Sequence, residues 1–554
     1  MRKILLSLLT LLTLSASAQE KIRIDWKRSY QISEIDKIEV INAPKDVTSV
    51  MEACGCYSIF TEALEKTGLA DTLCVWQTGK RFDIIDTGGY TLYTPTTSVK
   101  NFTVFALDDN TLKTLGITSF SSLKRKCVEW YGNVSQWYTS PKISTGDDYT
   151  YTYNVVNIFL RYHILRAGIP ASKLVNERNA RNNYDWNFAF GGEPYNYFET
   201  MLPHSMIKVW QPLYHNTGAS TNVWINRYRA NNTLTDEYWS FGSDAMHKLV
   251  DEGALINKDK SDIAALNGYI HNISKPLVFD KQVVNGVLNE RMRVDFEDML
   301  PELANNGIRA LSEEECAALN QEQNKVSEGM YCYVPSVTDY FEGLKRSGNF
   351  LTRVCSQGQW RSWSSRELIV ENIESEEYVD IKLPPVPYDG EYEIRLPYPP
   401  MLKGFVMKAY IDGKAVGEPV DLKCPFVEED WKAIGYQRVE EFTDYGVESD
   451  KVLRRNGYMR SPASFSRGGN NSIKSPASSP DDLISSTRSS CRYEEGYGTI
   501  ILRRIIGPVY LTQGVNHWLR IKNIGEDVGM LMLDYIEIVP KSVYANSTYT
   551  EDWY

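Results

Sequence analysis

The residues that could do chemistry are six histidines, a surplus of carboxylates, nine cysteines and many aromatic rings. The histidines are His163, His204, His215, His247, His271 and His517. None are paired as HxxxH or HExxH, the spacings that put two imidazoles on one helix face, so no metal site is predicted. His163 falls in an apolar helical run and His271 in a strand-like run. A buried imidazole has two polar nitrogens to satisfy, so both are expected to hold structure. Glycoside hydrolysis needs two carboxyls about 5–10 Å apart. Glu440 and Glu441 are neighbours, and in an extended chain they point to opposite faces. Asp534 and Glu537 are acids by type, and Asp534 is expected to end a strand. There is no GxSxG elbow and no glycine-rich phosphate loop. No catalytic residue and no cofactor are therefore expected.

The cysteines are sparse and odd in number. Cys54-Gly55-Cys56 is too tight for a metal knuckle, and no CxxC pair accompanies it. Most cysteines are expected as small buried apolar residues; Cys316 and Cys332 are open to pairing. Aromatic residues are the better lead. Trp186, Tyr195, Tyr197, Trp224 and Trp239 lie in a polar, Asn-rich stretch, and Trp360 and Trp363 lie further on. Flat rings beside Asn and Arg can stack on a sugar or a protein side chain. These seven are the candidate ligand-binding residues, with ordinary loop packing as the alternative.

The elements that position these residues follow from pattern. The chain has 554 residues, enough for roughly three to four domains. Hydrophobic residues make up 42% and charged residues 24%, so it can build sizeable cores. Its net charge of −11 excludes a nucleic-acid backbone as main partner. Arg2 and Lys3, the apolar run Ile4 to Leu14 and the small residues Ala16-Ser17-Ala18 read as a secretory signal peptide cut after Ala18. The run is well short of the ~20 residues of a membrane span. Without Arg2 and Lys3 the charge becomes −13. No cysteine stands directly after the cut, the first being Cys54, so no lipid anchor is expected, and no transmembrane segment is expected in the mature chain. The protein is placed outside the cytoplasm: periplasm, cell surface or medium.

Helical spacing is read over Ser58 to Leu69 and over Val155 to Leu165, the latter stopped by Gly168-Ile169-Pro170. Asn101 to Leu107 is strand-like, and Asp108-Asp109 can start the helix after it. Asn267-Gly268 marks a turn into the strand Tyr269 to Ile273. From about 366 the texture is β, with Glu391 to Leu396, Gly404 to Ile411, Thr499 to Ile506, Trp518 to Asn523 and Met530 to Val539 strand-like. Ser461 to Ser490 is a long Ser/Pro/Gly-rich loop.

Several of these segments resemble the fasciclin domain of extracellular adhesion proteins. Asn101–Asn110 (NFTVFALDDN) is similar to that family's strand-to-helix motif. Leu160–Leu165 (LRYHIL) matches its Tyr-His motif at Tyr162 and His163. Asn267–Ser274 (NGYIHNIS) resembles its closing strand, and Phe60 to Leu73 its opening helix. The four occur in the family's order. Ala106-Leu107-Asp108 departs from the family's Ala-Pro-Thr, and insertions are expected near 75–100, 130–150 and 180–245. The C-terminal part resembles the β-sandwich of galactose-binding-like modules in Bacteroidetes-type secreted proteins, through Gly390–Leu396, Tyr410–Gly413, Pro419–Leu422 and Leu533–Ile538. The resemblance implies an α+β fasciclin domain followed by an all-β jelly-roll-like sandwich. It implies that Phe105, Tyr162, His163, Asn267, Gly268 and His271 hold the fold.

The expected layout is a signal peptide (1–18), an N-terminal segment (19–49), a fasciclin-like domain with insertions (50–282), a helical connector (283–365), a β-sandwich (366–540) and a tail (541–554). The expected function is adhesion or ligand binding in the bacterial cell envelope, without catalysis, with an extracellular or envelope protein or glycan as partner. A glycan-binding accessory role in outer-membrane polysaccharide uptake is the alternative.

Overall fold

The structure is a computed structural model. It describes residues 21–24, 28–31, 45–75, 83–86, 91–94, 99–132, 142–175, 195–210, 213–214, 218–219, 222–228, 252–307, 309–310, 331–334, 340–348, 352–355, 367–398, 404–423, 428–437, 447–460 and 502–545. The signal peptide, Cys316, Glu313–Glu315, Glu440, Glu441 and the Ser461 to Ser490 loop lie outside these residues.

The chain is an α+β protein. Helix α1 (Val47–Cys54) opens the first half, and the Asp46 carboxylate caps it by accepting from the Thr48 and Ser49 N–H groups. The folded part therefore starts before the expected boundary at 50. Helices α2 (Ser58–Lys66) and α3 (Leu69–Leu73) follow. Strand β1 (Phe102–Ala106) is buried at every position, so it reads as an apolar run rather than an alternation. Helices α4 (Asp109–Thr114), α5 (Phe120–Tyr131) and α6 (Val155–Tyr162) pack around it. Directly after α6 the short strand β2 (Ile164–Leu165) pairs with β1.

Two sheets complete this half. Strands β3 (Tyr195–Glu199), β4 (Met206–Trp210), β5 (Trp224–Tyr228) and β6 (Glu252–Leu255) form one, in the order β6-β5-β4-β3. Strands β7 (Ile263–Ala265) and β8 (Gly268–Asn272) form a hairpin beside β1, giving the order β7-β8-β1-β2. The β8–β1 pair is parallel, with Gly268 opposite Phe102 and Asn272 opposite Ala106. Three sequence segments spread over about 170 residues thus lie side by side.

Among the described residues the expected helical connector holds both short helices and strands. Strand β9 (Met292–Asp295) joins the C-terminal sheet, ahead of helices α7 (Phe296–Met299) and α8 (Pro301–Asn305). Strand β10 (Leu344–Arg346) joins a second sheet, and strands Tyr331–Val334 and Thr352–Cys355 belong to a third. The charges of Arg293, and of Arg291 just before the strand, hid the β9 pattern, because both side chains face the buried Glu537 carboxylate rather than water, while Asp295 caps α7 by accepting from the Glu297 N–H.

The C-terminal half continues with β11 (Glu367–Ile373), β12 (Tyr378–Lys382), β13 (Gly390–Tyr398), β14 (Val406–Ile411) and β15 (Lys414–Asp421). Then come helix α9 (Val447–Arg455) and strands β16 (Tyr458–Arg460), β17 (Leu502–Leu511), β18 (Trp518–Asn523), β19 (Gly529–Leu533) and β20 (Tyr535–Pro540). One sheet has the order β9-β20-β13-β17-β16 and another β10-β12-β18-β14-β15. Strands β12, β14 and β18 alternate buried and half-buried residues, the pattern of a sheet with one face in a core. Val379, Ile381, Leu519 and Ile521 from that sheet share a core with Ile394, Ile536 and Ile538 of the other. The expected long strand over Met530 to Val539 is two strands broken at Asp534. The start of the expected tail is also folded: Lys541–Tyr544 is a helical turn, and the Tyr544 hydroxyl donates to Glu391.

Cys54 and Cys56 form a disulfide with their Cα atoms 5.3 Å apart. The expectation of small buried apolar cysteines does not hold for this pair, since Cys54 is exposed and Cys56 half-buried. Gly55 takes a left-handed φ of 64°, which curls the end of α1 back on itself. Cys127 is free and buried, and Cys74 is free and exposed.

Candidate functional site

The motif residues converge where β1, β2 and β8 meet. His163 ends α6, with its Nδ1 donating to the Phe159 carbonyl (2.7 Å) and its Nε2 accepting from the Leu277 N–H (3.0 Å). His271 on β8 does the reverse. Its Nε2 donates to the Ile169 carbonyl (3.0 Å) and its Nδ1 accepts from the Asp262 N–H (3.1 Å). The backbone partners thus fix opposite tautomers. Burial lowers the pKa of both rings, that of His163 to about 4. A general acid or base needs a nitrogen that can trade its proton with a substrate. In these two rings both nitrogens already serve the backbone.

The Tyr162 hydroxyl donates to the Met206 carbonyl (2.9 Å) and accepts from Asn226 Nδ2 (2.8 Å). Burial pushes its pKa above the usual phenol range. This bond ties the motif helix to the β3–β6 sheet. The Asn267 side chain accepts from the Val47 N–H and donates to the Leu73 and Val75 carbonyls. It therefore joins the β7–β8 turn to the first and third helices. Gly268 has φ 146°, and a Cβ there would fall 1.8 Å from the Phe102 carbonyl oxygen. Only glycine permits the β8–β1 approach. Phe105 is buried on β1, and its N–H donates to the His163 carbonyl.

The structure treats the candidate ligand-binding rings differently. Trp186, Trp239, Trp360 and Trp363 lie outside the described residues. Tyr197 is fully buried, with its hydroxyl donating to Glu290 and the Lys208 ammonium 5.7 Å from its ring centroid. It offers no open face to a ligand, which corrects that expectation: the ring packs between the two halves. Tyr195 and Trp224 are brought into one row. Tyr195 on β3 is opposite Trp210 on β4, which is opposite Trp224 on β5. Trp224 is half-buried. Trp210 was not singled out from sequence. Its in-register position was the missing signal.

A cleft of about 60 Å³ lies where the halves meet. It is lined by Leu165, Phe198 and Met206 from one side and by Met299, Gly343 and Leu383 from the other. That volume is far below the roughly 300–1,000 Å³ of a small-molecule site. Ion pairs stand at its rim: Arg166 with Glu342 (2.9 Å) and Lys382 with Glu199 (2.8 Å). Asn305 on α8 adds a clamp by accepting from the Gly168 N–H and donating to the Arg166 carbonyl.

Glu537, an acid by type, is fully buried on β20. Arg293 on β9 reaches it at 2.6 Å, Arg503 on β17 at 3.0 Å and Arg395 on β13 at 3.6 Å. Arg395 also binds Glu393 at 2.6 Å, and Arg454 on α9 binds the other oxygen of Glu393 at 2.6 Å. Burial alone would raise the Glu537 pKa. The surrounding guanidinium groups outweigh it and hold the carboxyl well below its ordinary value. Glu537 is thus a fixed carboxylate and not a proton donor. Among the described residues no cluster of His, Cys, Asp or Glu could hold a metal ion, and no helix is long and apolar enough to cross a membrane.

No family model and no curated protein matches the chain. Two solved structures are similar to parts of it. One is the FAS1 domain pair from the insect cell adhesion molecule fasciclin I, at 13% identity over 45% of this chain and 56% of that one, with a TM-score of 0.23. The other is the Agl-KA catalytic domain, at 12% identity over 36% of this chain and 26% of that one, with a TM-score of 0.18. The chain thus spans about half the length of the fasciclin pair.

Proposed function

We propose that the protein is an exported adhesion or ligand-binding protein of the bacterial cell envelope, and that it does no catalysis. The observation that carries this is the assembly of the three fasciclin-like segments into one sheet, with Tyr162, His163, Asn267 and His271 committed to backbone hydrogen bonds. Groups so committed build a scaffold, and recognition then falls to surfaces around it. The Cys54–Cys56 disulfide fits an oxidising compartment.

The second reading is a glycan-binding accessory role in polysaccharide uptake. The strand order of the C-terminal half favours it. Strands β11, β19/β20, β13 and β17 pair in that order, against β12, β18, β14 and β15. Taking β19 and β20 as one broken strand, that order supports reading the C-terminal half as an eight-stranded jelly roll, an architecture that lectins use.

The test is a pull-down from bacterial envelopes, and a glycan array, with the chain from residue 19 onward. The whole chain is needed because β9 completes the sheet that contains β20. A specific envelope protein or glycan should be retained, and Trp224→Ala should weaken its retention about tenfold, the loss of one stacked ring. Turnover of a polysaccharide by the chain would contradict the proposal.

A further inference from the structure

We propose that the Cys54–Cys56 disulfide is an exchange site for thiols: the thiolate of a small thiol, or of another protein's cysteine, opens the bond and is carried on Cys54. The exchange is stoichiometric. It goes beyond the ligand-binding reading above and does not rest on it. The bond lies at the surface. Glu52, Ala53, Cys54 and Gly55 are exposed in succession, and Cys56 is half-buried. A Cβ built on Gly55, between the two cysteines, would meet nothing within 4 Å. Exposed disulfides are the labile ones, because an incoming thiolate can reach their sulfurs.

The bond adds little to the fold. It joins residues two apart in sequence, so it takes little freedom from the unfolded chain. The backbone on both sides is held without it. The Gly55 N–H donates to the Glu52 carbonyl (3.0 Å) at the end of α1. The Asp109 N–H donates to the Cys56 carbonyl (2.8 Å). The Asp109 carboxylate in turn accepts from the Ser58 and Ile59 N–H groups, each at 3.1 Å, at the start of α2. Tyr57, between these anchors, is buried. None of these contacts uses a sulfur. The scaffold therefore keeps the two cysteines near their Cα separation of 5.3 Å when the bond is open, and the pair can reclose without refolding.

Exposure decides which sulfur is attacked. A thiolate that attacks Cys54 Sγ forms a new S–S bond there and breaks the bond to Cys56. The Cys56 sulfur leaves as a thiolate and takes a proton from water. One disulfide is consumed and one is formed. Cys56 can then return to Cys54 Sγ and expel the bound thiol, which restores the starting bond. Alternatively a second thiolate attacks the bound thiol's sulfur, and the two depart joined as a disulfide. That route reduces the protein pair by two electrons and oxidises two thiols. Among the described residues, the free cysteines Cys74 and Cys127 are not placed to take part. Cys127 is buried, and burial raises its pKa. Cys74 is exposed, but Asn267 bonds to the carbonyls on either side of it and to the Val47 N–H. Val47 begins α1 and Cys54 ends it, about 11 Å away along the helix.

The experiment treats the folded chain from residue 19 onward with millimolar reduced glutathione or with a cysteine-containing peptide. Thiols are then blocked by alkylation, and the tryptic fragment 46–66, which holds Cys54 and Cys56 and no other cysteine, is weighed. Thiol treatment should add two alkyl groups to that fragment, and the opened protein should melt at the same midpoint as the closed one. Opening by only one of the two thiols identifies the source as small molecule or protein. With oxidised glutathione, Cys56→Ser should take up one glutathione on Cys54 about tenfold faster than Cys54→Ser takes it up on Cys56, because the exposed sulfur is easier to reach. A fragment that stays closed until the chain is unfolded in urea overturns the inference. An opened protein that melts markedly lower also overturns it, since the bond is then a staple of the fold. So does a fragment already alkylated on both cysteines before any thiol is added. Equal uptake by the two variants overturns the assignment to Cys54.

Discussion

The sheet around β1 and the sheet around β13 both bury polar side chains, and they satisfy them with different chemistry. Around β1 the buried motif groups are neutral, two imidazoles, a phenol and an amide, each bonded to backbone, and the one acid beside them, Asp108, is paired with a half-exposed lysine, Lys260. Around β13 they are charged, with Glu537 and Glu393 set among Arg293, Arg395, Arg503 and Arg454. A neutral group bonded to backbone is less costly to bury than an ion, and removing it loses only its own two or three hydrogen bonds. A buried ion depends on its counter-ions, so deleting one member leaves the others uncompensated. The first half should therefore break locally, and the second should break as a network.

The largest effect should come from the network. Glu537→Gln should cost about 3–5 kcal/mol, because it strands several buried guanidinium groups. Urea unfolding of the full chain measures it, and a loss below about 1 kcal/mol would remove the distinction between the two halves. Next is the pH response of the neutral side. The folded-state pKa of His163 is depressed from 6.5 to about 4, so its stabilising effect is complete above pH 6.5 and is lost as pH falls through about 4. That loss should approach about 3 kcal/mol. The Glu537 carboxylate is also depressed, from 4.5, so its contribution is present above that pH and is lost only on further acidification. Melting midpoints between pH 7 and 4 should fall, and His163→Gln should flatten the profile there; an unflattened profile would place the titrating group elsewhere.

Smaller is Asn267→Ala, which removes the side-chain partner of two buried backbone groups, at Val47 and Leu73, and of the half-exposed Val75 carbonyl. A loss of about 1–3 kcal/mol is expected by chemical denaturation, and hydrogen exchange should quicken first at Val47. Smallest is Arg166→Ala. Its partner Glu342 is 58% exposed, so the pair should contribute under about 1 kcal/mol to stability.

The same contrast explains what the sequence could reveal. The first half is written locally. The apolar run of β1, the Asp108 helix cap and the turn at Asn267-Gly268 each leave a signal within a few residues. The second half keeps its signal across strands. Glu537 reads as a surface acid until Arg293 and Arg395 are known to stand opposite it. Strand β9 reads as polar for the same reason. The aromatic leads divide likewise: composition found Tyr197 but could not show that β3 turns it inward, and it passed over Trp210, which stands between Tyr195 and Trp224. The Asp380–Arg520 ion pair across β12 and β18 is illegible without register, because the two residues are 140 residues apart.

The central claim is that the family-like motif is scaffold, and Tyr162→Ala tests it most directly when stability and envelope binding are measured on the same preparation. The account predicts a loss of about 3–5 kcal/mol in urea unfolding, as for other large buried side chains, with binding kept by the fraction that remains folded. An unchanged unfolding midpoint together with lost binding would contradict it and place Tyr162 on a contact surface.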